Sequence, residues 1–419
     1  MTQTLDELAR TNLTSPEMAF SPFAFYADLL ESAPVLWSER HHAWLISRYD
    51  DVSAAFRHEQ MGADRITPYL KNQLSEAESE RFGRVFEILA KWLVFLDPPD
   101  HTRLRKLMHK AFTPRAVQAL QGKIQQTAAR QAAAVKARLE AGEVVDLVAE
   151  FCEIIPPAIF SEMFGFSPED GDNLKTWTEE LGMFINGAPA GPGRDERVRA
   201  AVEGLETYFR GSIEQYRAKP VDDILSVLVQ ASDDGDALSD TELIATCITL
   251  IDAGYKTVQN AMCNAIYLLL RSEDGWERLA SEPSLRTSAV EECLRLMGPA
   301  KTTVRRARGD IEFEGASIKD GDRVYLVLAA ANRDPRRFDR PNDFVIDRED
   351  NQHLAFAQGI HFCLGSALAR LELTSSLAEL VTRVPRPELA VPAEELPWHR
   401  VLLLSGLERL PVRRAGDRA

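Results

Sequence analysis

Cys363 sits in the segment Phe356-Ala357-Gln358-Gly359-Ile360-His361-Phe362-Cys363-Leu364-Gly365, between two glycines and just ahead of a helical run from Ser366 to Val384. Glycines let a backbone turn tightly and approach a flat partner, and a helix N-terminus favours a thiolate through its dipole and free N–H groups. Such surroundings suit a sulfur that binds a metal. The other cysteines, Cys152, Cys247, Cys263 and Cys293, lie in apolar helical stretches, where a cysteine is usually a small core residue. No pair has CxxC spacing, so neither a disulfide framework nor a zinc site is suggested.

Three more groups stand out. Ala253-Gly254-Tyr255-Lys256-Thr257 lies in the middle of a long helical run, where a glycine costs about 1 kcal/mol relative to alanine and so needs a reason. Asp97-Pro98-Pro99-Asp100-His101-Thr102-Arg103-Leu104-Arg105 brings a histidine and two arginines to a helix start. Glu292 and Arg295 stand at i, i+3 on one helical face, a spacing that by itself says no more than a solvated ion pair.

The elements that hold these residues read as follows. Ser239-Asp240-Thr241-Glu242 matches a capping box, and Leu243 to Ile251 is apolar nearly all round, so the helix over 239–271 is expected to run through the interior. At 1.5 Å per residue its length is about 45 Å, enough to cross a domain. Helical patterns dominate from 103 to 290, with a further helix over Ser284–Met297. Val35–Trp37 and Trp44–Ser47 read as strands followed by a helix over Tyr49–Phe56. Asp310–Gly315 and Arg323–Leu328 read as strands around a turn at Asp320-Gly321, and Val401–Leu404 as a strand before a turn at Ser405-Gly406. The cluster Gly187-Ala188-Pro189-Ala190-Gly191-Pro192-Gly193 cannot continue a helix; it predicts a surface loop between two helices and a candidate lid over a pocket. No internal repeat is found.

With 419 residues, 45% of them hydrophobic, the chain has ample material for a large core. A formal charge of −15 disfavours nucleic-acid binding, which needs a cationic face. The N-terminus has no basic segment followed by an apolar run, and no charge-free apolar stretch reaches membrane-spanning length, so a cytoplasmic protein without membrane contact is expected.

The Cys363 segment resembles the haem-binding loop of the cytochrome P450 superfamily, F-G-x-G-x-H-x-C-x-G, with Ala357 as a mild departure where glycine is usual. Glu292-Cys293-Leu294-Arg295 resembles the family's E-x-x-R helix, and Phe344-Val345-Ile346-Asp347-Arg348 the segment whose arginine joins that pair. The Asp97–Arg105 segment is similar to the helix that meets the haem propionates, and Ala253–Thr257 to the middle of the long helix beside the iron. The likeness spans essentially the whole chain. It implies a mainly α fold with a smaller β region, one haem domain over 1–419, and haem b held between the long helix and the helix after the cysteine.

By this resemblance Cys363 is the axial iron ligand, set in a loop shaped by Phe356, Gly359 and Gly365. His101, Arg105, His361 and Arg305 are the expected propionate contacts, with Arg306 the rival of Arg305, since carboxylates at the edge of an apolar pocket need cationic donors. Gly254 is expected where the helix opens locally for dioxygen and water, and Thr257 where proton delivery is organised. Glu292, Arg295 and Arg348 are expected to form a structural network behind the haem. The pocket is expected to be lined from about 61 to 95, by the helices flanking the Gly/Pro loop, by Leu250, Ala253 and Gly254, by 300–304 with Lys301, Thr302 and Thr303 polar, and near Leu404-Ser405.

Lys256 departs from the family, which usually carries an acid there. Two readings stay open: a salt bridge facing away from the haem, or a lysine that redirects the proton network or anchors an acidic substrate. The expected activity is a monooxygenase that uses dioxygen and two electrons from ferredoxin and ferredoxin reductase to hydroxylate or epoxidise a small organic substrate, as in secondary-metabolite tailoring. Arg103, Lys106 and Lys110 are the candidate docking patch. The alternatives are oxidative ring closure or coupling, peroxide-driven oxidation, or a non-catalytic haem sensor or electron carrier.

Overall fold

The computed structural model describes residues 3–72, 75–166, 168–189, 191–221, 224–230 and 238–416, so Ala190 of the Gly/Pro cluster and Gln73 and Leu74 of the expected pocket segment lie outside the described residues. The architecture is mainly α with a small β region. Eight helices frame the site: α1 (Asp100–His109), α2 (Gln121–Glu140), α3 (Ile155–Phe164), α4 (Pro168–Ile185), α5 (Arg194–Ala218), α6 (Asp240–Arg271), α7 (Arg286–Met297) and α8 (Ser366–Arg383).

The capping box at the start of α6 is formed as its sequence predicts: the Glu242 amide donates to the Ser239 hydroxyl at 3.3 Å, and the Ser239 amide donates to the Glu242 carboxylate at 3.0 Å. From there the helix runs unbroken to Arg271, packing against α3, α4, α7 and α8. Its residues from Leu243 to Ile251 are all buried, as expected of a helix apolar on every side. The helix after the cysteine, α8, lies along α2 and against α6, so the Cys363 loop and the middle of α6 face one another across one core.

The β region is a five-stranded sheet in the order Val35–Ser38, Ala43–Ile46, Arg323–Leu326, Thr303–Ala307, Met61–Gly62, parallel only between Ala43–Ile46 and Arg323–Leu326. The strand Thr303–Ala307, which carries Arg305, was not apparent in the sequence. Nor does Asp310–Gly315 pair with Arg323–Leu328. Ile311–Phe313 folds back onto Ala316–Ile318 across Glu314 and Gly315, both at positive φ, the geometry of a two-residue hairpin turn. The Asp320-Gly321 turn then hands the chain to the larger sheet. Val401–Leu404 is not a strand. It is held by an isolated bridge from Leu404 to Ala300 and by the Leu403 carbonyl, which accepts from the amides of Lys301 and Thr302, while the last strand is Pro411–Arg413.

Candidate active site

Cys363 follows a tight loop in which its amide donates to the Phe356 carbonyl at 2.9 Å. Gly359 has φ +69°, and a Cβ there would approach the Phe56 carbonyl oxygen to 3.1 Å, so both conformation and space call for glycine. Ala357 also adopts a left-handed φ of 60°, which makes the departure from glycine more than mild, because an L side chain is strained there. Gly365 caps α8, and its amide helps to stabilise a thiolate at Cys363. The Phe356 ring lies under Arg370, with 4.4 Å from guanidinium to ring centroid. Burial pushes the Cys363 thiol up, against the pull of the Gly365 amide, Arg105 and Arg370. A bound metal is what would hold the sulfur deprotonated in such a place.

Behind the loop, the E-x-x-R network closes as expected. Arg295 donates to both Glu292 oxygens at 2.8 Å and to the carbonyls of Asn332, Pro341 and Asp343, and Arg348 Nε donates to Glu292 at 3.0 Å. Asn351 and the Val345 amide complete the carboxylate's partners. Every charge is buried and answered, which is the condition for keeping such a network in a core. A second group joins α7 to α8: Arg370 and His353 meet Glu291, and although burial works to raise that carboxyl, they hold it down to about 2.

A corner beside the loop is in the opposite condition. The rings of His101 on α1 and His361 in the loop lie with centroids 4.2 Å apart; among the described residues both ring nitrogens of His101 and Nε2 of His361 are buried without a partner. Arg305 is only 4% exposed, and among the described residues its guanidinium donates only to the Val304 carbonyl. Arg65, which the sequence reading missed because nothing periodic marks it, stands close enough for Arg305 to disfavour its charge; burial first, then this repulsion, takes Arg65 down to about 10. Burial also takes Arg305 down to about 10, His101 to about 4 and His361 to about 2, with neighbouring cations adding to the last two. Arg105 donates to the Phe362 carbonyl at 2.7 Å. The nearby acid, Asp97, is engaged by the amides of Ala63 and Asp64 and by Arg308. Arg306 belongs elsewhere: it follows Arg305 on the strand, so it points to the other face, where its guanidinium covers Gly321.

Two imidazoles and three arginines whose nearest acid, Asp97, is already engaged form a corner with more positive charge than it answers, one that calls for anions. Among those residues no group of three or more His, Cys, Asp or Glu side chains could hold a metal ion. A lone thiolate therefore suits a metal that arrives in its own macrocycle, and a dianionic macrocycle edge suits the corner.

One side of α6 borders a cavity of about 500 Å³. Ala253 and Thr257 line it, together with Trp92, Val94 and Phe95, with Thr178, Gly182 and Met183 of α4, and with Ala300, Thr302, Thr303 and Leu404. Of the expected lining, Leu250, Lys301, Val304, Ser405 and α5 are absent from the wall, and so is Gly254. A Cβ on Gly254 would collide with the Phe160 ring of α3, so the glycine allows close helix packing and is not part of the cavity. The helix is also not opened at this point; Thr257 donates its hydroxyl to the Ala253 carbonyl within regular α-helix.

Lys256 makes the salt bridge of the first reading, its ammonium 3.9 Å from Glu153, which also accepts from Lys175 and Gln259 at 3.1 Å, and it lines the cavity. Glu153, Lys175, Asp252 and His399 were not singled out in the sequence; they lie on four different segments that only folding brings together.

A half-buried loop cysteine opposite a long helix, with a cation-rich corner beside it, defines a haem-thiolate protein. The chain belongs to the cytochrome P450 family: the family model for Cytochrome P450 matches residues 30–384. It is 38% identical over 374 residues to cytochrome P450 107B1 of Saccharopolyspora erythraea, covering 88% of this chain and 89% of that protein. It is 34% identical to 6-deoxyerythronolide B hydroxylase of the same organism, covering 93% and 95%. Among solved structures, the bacillaene polyketide synthase cytochrome P450 PksS of Bacillus subtilis superposes with a TM-score of 0.86 at 33% identity, covering 96% of this chain and 99% of that one. The protein is a cytochrome P450 monooxygenase with haem b as its cofactor. No helix among the described residues is long and apolar enough to cross a membrane.

Proposed function

We propose that this chain, acting as one haem unit over 1–419, oxygenates a small organic substrate of secondary metabolism in the cavity beneath α4. The observation that carries the reading is the pairing of that largely apolar cavity with the cationic corner around His101, Arg105, Arg305 and His361. Those four residues would hold the propionates, Arg65 would assist them, and Cys363 would bind the iron. The haem, when bound, supplies dioxygen activation and two-electron oxidation of a C–H or C=C bond.

The chain's own work is positioning, exclusion of water and the handling of protons. Trp92, Val94, Phe95 and Met183 give the substrate apolar surface. The Thr257 hydroxyl, with its proton engaged by Ala253, keeps lone pairs that accept a proton-carrying water. Lys256 is tied to Glu153, so an acid is within reach of the place where the family usually has one, and the pair would relay protons through the lysine. The electrons would come from a ferredoxin and ferredoxin reductase docking where the Cys363 loop meets α1, a face with exposed Lys106, Lys110, Ile360 and Phe362. Arg103 is not part of that patch, because it pairs with Glu242 of α6.

The relatives' names, a macrolide-ring hydroxylase and a polyketide P450, support a polyketide-like substrate. The test is turnover of 6-deoxyerythronolide B and of testosterone with a ferredoxin, its reductase and NADPH. A product heavier by one oxygen atom supports the reading. Electron consumption without oxygenated product from any compound of a wider macrolide, steroid and fatty-acid panel would contradict it.

A further inference from the structure

One acid in the cavity takes no part in what has been described. Asp252 lies on α6 one turn before Lys256, lines the cavity, and makes no hydrogen bond or ion pair among the described residues. Its carboxylate rests against Gly182 of α4, where a Cβ would come within 2.9 Å of Oδ1. Glycine at that position makes room for the acid between the two helices. Burial alone pushes the carboxyl up to about 7. A half-buried carboxyl on a cavity wall without a partner among the described residues costs a fold stability, which makes it a candidate for a partner that arrives with the ligand.

Its surroundings narrow the kind of partner. The Thr178 hydroxyl donates to the Leu174 carbonyl and the Thr249 hydroxyl to the Ala245 carbonyl, so both have used their donor within their own helix and offer oxygen lone pairs to the cavity. Glu179, exposed at the rim, adds a second acid. The cations of the wall are otherwise engaged: Lys175 and Lys256 share Glu153, and Arg65 stands in the propionate corner. This side of the cavity offers acceptors and negative charge to whatever enters.

The position also sets a length. At 100° and 1.5 Å per residue, Asp252 and Thr257 lie about 140° apart around α6 and about 7.5 Å apart along it. They flank the lining face, Asp252 toward α4 and Thr257 toward the side where the proposed function puts the haem.

We infer that Asp252 is the charge anchor of this cavity: its ligands are amphipathic cations whose protonated or quaternary amine pairs with Asp252 while an apolar body on the order of 10 Å long reaches the Thr257 side. The inference rests on the oxygenase reading of the cavity. It leaves the reaction unchanged and selects the substrate by charge.

The test uses the haem-loaded enzyme and three dodecyl probes below their micellar concentrations: dodecyltrimethylammonium, whose nitrogen has no lone pair for iron, dodecanol and dodecanoate. Calorimetry and the substrate-induced spin shift are read on wild type, Asp252→Asn and Asp252→Ser. Wild type should bind the ammonium at least tenfold more tightly than the alcohol. Both variants should lose that preference while binding the alcohol within about twofold of wild type. Equal binding of ammonium and alcohol, a preference for dodecanoate, or a preference that survives in both variants overturns the proposal. The reduced, carbon monoxide-bound spectrum of the same preparations keeps the two readings apart: a missing thiolate band counts against the haem site, whereas a normal band without charge preference counts against Asp252 alone.

Discussion

Replacing Gly254 by alanine separates packing from chemistry. In regular helix the change gains about 1 kcal/mol of helix propensity. Here the new Cβ would fall inside the 3.0 Å that real Cβ contacts respect, against the Phe160 ring. That ring has little room to retreat: it is 3% exposed, stacked at 5.8 Å on Phe164 and edge-on at 5.1 Å to Tyr255. Overpacking costs about 1–3 kcal/mol, and a Cβ this close to a ring belongs at the upper end, about 2–3 kcal/mol, so after the propensity gain Gly254→Ala should lose about 1–2 kcal/mol net. Phe160→Leu frees volume and should lose stability alone, yet in the double variant the alanine should become neutral or favourable, a coupling of at least about 1 kcal/mol. Urea unfolding of the haem-loaded protein, followed by tryptophan fluorescence and the Soret band, measures the cycle. If Gly254→Ala is as stable as wild type and instead weakens the spin-shift response, the glycine serves the cavity and the packing account is wrong.

Ala357→Gly should stabilise the protein by about 0.5–1 kcal/mol, because glycine adopts a φ of 60° without the strain that alanine carries; an unchanged or lower midpoint of thermal unfolding would contradict this. Glu372 on α8 is 0% exposed, neither carboxylate oxygen has a partner among the described residues, and burial pushes it up to about 8. In the unfolded chain the same carboxyl ionises near 4.5, so unfolding releases its proton between those values, and its cost to the fold grows as pH rises from about 4.5 to about 8. Glu372→Gln should therefore raise the unfolding midpoint clearly at pH 8 and little at pH 5; an equal gain at both would show that the buried acid does not titrate this way. Arg305→Leu removes one cation of the anion-seeking corner and should speed haem transfer to apomyoglobin roughly tenfold at unchanged Cys363 ligation, a rate that stays at the wild-type value if Arg305 does not meet the propionates.

Where local chemistry decides, the sequence was readable. The Ser239-to-Glu242 box specified the start of α6, the turn glycines marked the Cys363 loop, and Glu292, Arg295 and Arg348 met as their motifs implied. What escaped depends on contacts between distant segments. Gly254 read as an opening in α6 because its neighbour Phe160 lies 94 positions earlier in the chain. Arg305 and Arg306 were indistinguishable until strand register gave them opposite faces. Val401–Leu404 has strand-like composition, but its backbone is taken up by the 299–302 segment and by Asn186. Asp252 and Arg65 carry no local signal at all; one is defined by the room left at Gly182 and the other by its approach to Arg305.

The central claim is that Cys363 binds haem iron as a thiolate, and the reduced, carbon monoxide-bound absorption spectrum tests it most directly. Wild type should give the long-wavelength Soret band of a thiolate-ligated haem, and Cys363→Ala should lose that band. A wild-type spectrum without it, or a Cys363→Ala protein that keeps it, would contradict the account.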